Sequence, residues 1–147
     1  GRKLIRDGGQ MVSEMISEIR NDISLASMQG DFVVQEIAVA VAESVTDLED
    51  ATQSILESAK DNPRSPFFDS FNYLMLWGVA AGGWQMAKAA REAKNMLDAQ
   101  EGSDTFLRSK MLSSLYYARQ ISPQSTAFSR AVCAPNLPRD DLDELVA

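Results

Sequence analysis

At 147 residues, 45% of them hydrophobic, the chain is sized for one domain that buries about two-thirds of its unfolded surface, which excludes wholesale disorder. Its 14 Lys and Arg against 21 Asp and Glu leave a formal charge of -7, which phosphate backbones and anionic membrane surfaces repel, so nucleic-acid and membrane binding drop out. It has no histidine, which removes Ser–His and Cys–His nucleophile pairs, imidazole ligands for zinc or haem, and the Glu-x-x-His metal pairs of diiron bundles.

Gly1 stands where an initiator methionine is expected, so the chain reads as cut, by processing or cloning, from something longer. Apolar residues then recur at three–four spacing and predict helices. The first runs from about Gly9 to Ala26, striped by Val12, Met15, Ile16, Ile19, Ile23 and Ala26. Gly30 beyond it suits a left-handed stop. Asp31 is placed to cap the second helix, about Phe32 to Lys60, whose stripe is Val34, Ile37, Ala38, Val41, Val45, Leu48, Thr52, Ile55 and Ala59. Glu43, Asp47, Glu49, Asp50 and Glu57 fall off that stripe and read as a solvated face.

Asp61 to Arg64 is a loop by composition, and Ser65-Pro66 reads as an N-cap followed by proline at the first helical position. The third helix follows, about Pro66 to Leu97, and Gln100 to Ser103 is the next break. The fourth starts near Ser103 with Leu107, Met111, Leu115 and Ala118 on one face. Pro123 must end or kink it, because proline donates no N–H and its ring meets the preceding turn. A further helical piece, about Pro123 to Cys133, is marked by Ala127, Phe128, Ala131 and Val132. Cys133 is the one cysteine; it permits no intrachain disulfide, suits a reducing cytoplasm, and reads as a small apolar residue near a helix end. Pro135 and Pro138 stop regular helix, and the acidic end carries Leu142, Leu145 and Val146, which could dock as one short turn. Short linkers between long helices favour antiparallel neighbours. The sequence therefore predicts an all-α fold, a four-helix up-and-down bundle with a kinked last helix over residues 1–134, and an acidic tail over 135–147.

The third helix is apolar on two sides. At about 100° per residue, Phe68, Phe71, Met75, Val79, Gly82, Met86, Ala90, Ala93 and Leu97 share one broad face, read here as the core face. Tyr73, Trp77 and Trp84 fall on the other, among Asp69, Lys88 and Arg91. The run YLMLWGVAAGGW is bounded too closely by Asn72 and Gln85 to span a membrane. Two readings remain: the helix is enclosed by bundle neighbours, or Tyr73, Trp77 and Trp84 form an interface for another chain or domain. Gly78 and Gly82 mark a place where something packs tightly.

No pattern for chemistry stands out. Gly8-Gly9 and Gly82-Gly83 lack the strand–turn–helix setting of a phosphate loop, and no carboxylate pair sits within an apolar segment. The hydroxyls from Ser122 to Thr126 read as local capping around a kink. Catalytic, cofactor-binding and metal-ligating residues are expected to be absent from this chain.

The order GRKLIRDGGQ, a helix pair, NYLMLWGVAAGGWQMAKAA and then FLRSKMLSSLYYARQISPQSTAFSRAV resembles the extra C-terminal domain of a branch of the acyl-CoA dehydrogenases, the 3-methylmercaptopropionyl-CoA dehydrogenase branch. Leu74, Gly78, Gly83, Trp84, Ala87, Lys110, Tyr117, Ala118 and Pro123 carry the likeness, which covers nearly the whole chain. The resemblance implies a parent enzyme that binds FAD and oxidises an acyl-CoA at its α,β bond, and a cytoplasmic homodimer in which this chain docks against flavin-binding domains. None of that family's flavin-binding or base residues has a counterpart here, so the chain itself is expected to be a non-catalytic accessory domain. A free-standing adaptor for a partner helix and a bundle binding a small molecule in a Met-rich core are the alternatives.

Overall fold

The computed structural model describes residues 2–135, so the expectations for the acidic tail and for Leu142, Leu145 and Val146 lie outside the described residues. Every regular element among the described residues is helical. A short α1 (Arg2–Arg6), not anticipated from the sequence, buries Leu4. Gly8 and Gly9 then turn the chain with φ of 63° and 84°, a region open to glycine at little cost. The Asp7 carboxylate accepts from the Gly9 N–H at 3.0 Å and closes the turn.

α2 (Gln10–Ser27) and α3 (Phe32–Asp61) follow within a residue of the expected bounds. Gly30 takes the left-handed conformation between them, φ 87°, and Asp31 caps α3 by accepting from the Val33 and Val34 N–H groups at 2.9 and 3.1 Å. Ser65–Phe67 is a separate 3-10 turn, and α4 (Ser70–Asp98) starts later than Ser65-Pro66 implied. The correction has a local cause: the Phe68 N–H closes on the Ser65 carbonyl at 3.0 Å, a tight turn that does not continue as α-helix.

After α5 (Asp104–Tyr116) the chain widens into a π turn, Tyr117–Ile121, and re-enters α-helix as α6 (Gln124–Cys133). Here the Ser122 N–H donates to Tyr117 O at 2.9 Å, five residues back. The looser turn gives the Pro123 ring room where an α-helical carbonyl would clash with it. The last helix is thus bent, as the sequence predicts, by a widened turn.

Cross-helix bonds fix the directions. Arg20 on α2 reaches Glu49 on α3 (Nε to Oε1 3.0 Å), while Gln35 reaches back to the Ser27 carbonyl at 3.4 Å, so the two run antiparallel. Thr52 meets Tyr73 at 2.8 Å and Val41 lies against Gly83, which makes α3 and α4 antiparallel. Ser114 pairs with Met86 and Tyr117 with Val79, so α4 and α5 also oppose. This is the up-and-down order.

The core is aliphatic and alanine-rich: Ile19, Val34, Ile37, Val41, Val45, Leu48, Leu76, Ala80 and Ala90 have essentially no exposure. Two parts of the sequence reading are corrected. Met15 is exposed, and none of the seven methionines is buried, so the Met-rich core is not formed. Asp47 and Glu49, both partly exposed, are more than a solvated face: Glu49 takes Arg20, and Asp47 accepts from Ser125 Oγ at 2.6 Å and Thr126 Oγ1 at 3.2 Å. Those hydroxyls join α6 to α3 and do more than cap a kink. Cys133 ends α6 in an exposed position.

Candidate functional site

The first half of α4 decides what the domain presents outward. From Ser70 to Ala87 it carries no charged side chain, so only packing distinguishes its faces. The inward face is made of Leu76, Val79, Ala80, Gly83, Ala87, Ala90 and Ala93, all buried. Small residues at three–four spacing bring α3 close: a Cβ on Gly83 would stand 3.1 Å from Val41 Cγ2. Gly82 is bare for the same kind of reason, because the Tyr117 ring occupies its side-chain space and donates its hydroxyl to Val79 O at 2.9 Å. Burial pushes the Tyr117 phenol above its ordinary pKa.

Tyr73, Trp77 and Trp84 are half-buried against the core of their own chain. Thr52 Oγ1 donates to the Leu48 carbonyl, so at 2.8 Å the Tyr73 hydroxyl is the donor to Thr52. Burial raises the Tyr73 pKa. Trp77 stands edge-on to Tyr73, centroids 6.5 Å apart. The Trp84 indole N–H donates to Asp22 Oδ2 on α2 at 2.7 Å, and Lys88 Nζ lies 5.0 Å over its ring. The polar handle of each of Tyr73 and Trp84 is therefore used inside the domain.

The outward apolar surface is the other side of the helix. The start of the face read as core is exposed, Phe68 at 78%, Phe71 at 66% and Met75 at 40%, and Phe67 at 54% and Leu74 at 69% lie beside it. Phe71, Leu74, Met75 and Gly78 follow helical spacing and form one stripe that the 3-10 turn prolongs through Phe67 and Phe68. Ser65 and Pro66 are buried, and Ser65 Oγ donates to Ser58 Oγ on α3 at 3.0 Å, which pins the turn and leaves the two phenylalanines outside. The helix wheel misassigned this face because both sides are apolar. The legible signal was size: beyond Leu76 and Val79 the buried face is alanine and glycine, whereas Phe68, Phe71, Leu74 and Met75 lie outside. Asp69 sits buried at the head of the stripe without a side-chain capping bond, and desolvation raises its carboxyl pKa.

The stripe offers no group for catalysis. Among the described residues no cluster of three or more His, Cys, Asp or Glu is placed to hold a metal ion, and no helix is long and apolar enough to cross a membrane. What it offers is apolar area, roughly 600 Å2, at the upper end of what a soluble monomer shows in one patch.

Residues 12–138 match the family described as acetyl-CoA dehydrogenase C-terminal like. The chain is also 31% identical over 130 residues, 86% of its length, to 3-methylmercaptopropionyl-CoA dehydrogenase from Ruegeria pomeroyi. That stretch is 21% of the relative, so the chain spans about a fifth of the length of the curated relative it matches.

Proposed function

Because the chain belongs to the acetyl-CoA dehydrogenase C-terminal-like family, we propose that it is the non-catalytic helical accessory domain of an FAD-dependent acyl-CoA dehydrogenase-like enzyme, serving domain docking and subunit assembly. The exposed Phe67–Met75 stripe carries the docking part, since burying it returns the free energy that an isolated domain forgoes. In this reading the enzyme is cytoplasmic and homodimeric, its substrate is an acyl-CoA, and its flavin-binding domains lie outside these 147 residues.

The residues here do not fit the flavin itself. The paired glycines of α4 leave no slot, because Tyr117 fills the space at Gly82 and Val41 lies against Gly83. The described residues form no strand leading into a glycine turn and helix, the setting that cradles a pyrophosphate. No catalytic step is therefore routed through this chain. Its contribution is mechanical: a preformed helical body holding one apolar face.

The test compares two preparations. The complete polypeptide that contains this chain is expected to retain flavin through gel filtration and to reduce a dye with acyl-CoA, whereas the 147-residue chain does neither. Flavin retained by the 147-residue chain, or absent from the complete polypeptide, would overturn the reading.

A further inference from the structure

We propose that Phe67, Phe68, Phe71, Leu74, Met75 and Gly78 form the face on which two copies of this chain meet, the first half of α4 crossing its own symmetry mate beside Gly78. The partner assignment rests on the assembly role proposed above and not on the chemistry of the enzyme.

Charge favours a second copy. Each chain carries -7, so copies repel unless they meet where there is no charge, and Ser70 to Ala87 is uncharged throughout. A two-fold contact sets a surface against itself, where any charge on the stripe would face its like. Area agrees. About 600 Å2 from each copy gives about 1,200 Å2 in all, the lower bound of stable specific interfaces.

Gly78 supplies the third argument. The neighbouring helical glycines are explained inside the domain, Gly82 by Tyr117 and Gly83 by Val41. At Gly78 an added Cβ would meet nothing within 4 Å among the described residues, so no described neighbour calls for its bareness despite the low helix propensity of glycine. At a crossing of two helices it lets the backbones approach. The exposed Met28 and Phe32 make no comparable face, since Asp31 lies between them and Asp98, Asp104 and Arg108 line the adjoining hollow.

Sedimentation of the 147-residue chain over a range of concentrations tests this. A reversible dimer is expected, with Leu74→Glu or Gly78→Leu weakening it at least about tenfold while the circular dichroism spectrum, and the melting temperature at concentrations where the parent is monomeric, hold. Mixing Leu74→Glu with Leu74→Lys should restore association, because only a self-facing stripe sets residue 74 near its counterpart. A chain monomeric throughout, a dimer indifferent to both substitutions, or cross-links in the complete polypeptide that place the stripe against another domain would each overturn the proposal. None of these would disturb flavin retention by the complete polypeptide, so the two readings fail separately.

Discussion

The Tyr117 ring fills the side-chain space of Gly82, its Cζ 2.9 Å from where a Cβ would stand, and its hydroxyl bonds to Val79 O. The glycine on α4 and the tyrosine of the π turn are thus two halves of one contact. Alanine elsewhere in a helix gains about 1 kcal/mol over glycine. At this position the sign reverses, because the methyl must displace an anchored ring. Gly82→Ala is expected to destabilise the fold by about 1–3 kcal/mol in urea unfolding. A double-mutant cycle with Tyr117→Ala should recover most of that loss, and additive effects would show the two residues to be uncoupled.

Trp84 is expected to behave as a core residue. Trp84→Ala should lower stability by about 3 kcal/mol, the low end for an aromatic truncation because the ring keeps some exposure. Trp84→Phe, which keeps a ring but loses the N–H to Asp22, should lower it by about 1.5 kcal/mol. Chemical denaturation followed by circular dichroism reads both values. A Trp84→Ala variant as stable as the parent would mean the indole serves something outside this chain.

Two carboxyls should titrate on opposite sides of their ordinary range. Asp69 is raised by burial, so the folded state holds its proton more tightly than the unfolded one. Its stability contribution is full below the unfolded pKa and is lost as pH rises through the folded value. Glu36 is lowered, first by its hydrogen bond from Arg119 at 2.7 Å, so its contribution is present above the unfolded pKa and lost as pH falls. Carboxyl NMR titration should find Glu36 ionising before Asp69 as pH rises. In Asp69→Asn the decline of stability between acid and neutral pH should be shallower, and an unchanged decline would remove Asp69 from the account.

The buried serines of the last helix divide by partner. Ser125 Oγ donates to Asp47 and Ser129 Oγ to the Asp47 carbonyl at 3.0 Å, whereas Ser122 Oγ is buried without a partner among the described residues. Ser125→Ala should cost about 1 kcal/mol. Ser122→Ala should be neutral or stabilising, because it removes an unsatisfied hydroxyl. Thermal melts of the two variants against the parent check the order, and a larger loss at Ser122 would contradict it.

The bundle was legible because its signals are local. Three–four spacing found α2 and α3, Asp31 announced its cap, Gly30 its turn, and Pro123 the bend. The exposed stripe on the first half of α4 was not, because a segment apolar all round leaves periodicity nothing to contrast. Orientation there depends on which side chains are small enough for α3 to approach and on which aromatic hydroxyl or N–H finds Thr52 or Asp22. Those are tertiary facts. The serine contacts to Asp47 were hidden for the same reason, 78 residues apart in sequence.

The widened turn at Tyr117–Ile121 also sets phase. A π turn spends one residue more than an α turn, and one residue in a helix corresponds to about 100° of rotation. The two ends of the last rod are therefore hydrogen-bonded to different helices: Ser114 and Tyr117 to α4, Ser125 and Ser129 to Asp47 on α3. One continuous segment closes two seams of the bundle, and deleting a single residue from the turn would swing α6 out of register with α3 while leaving α5 in place.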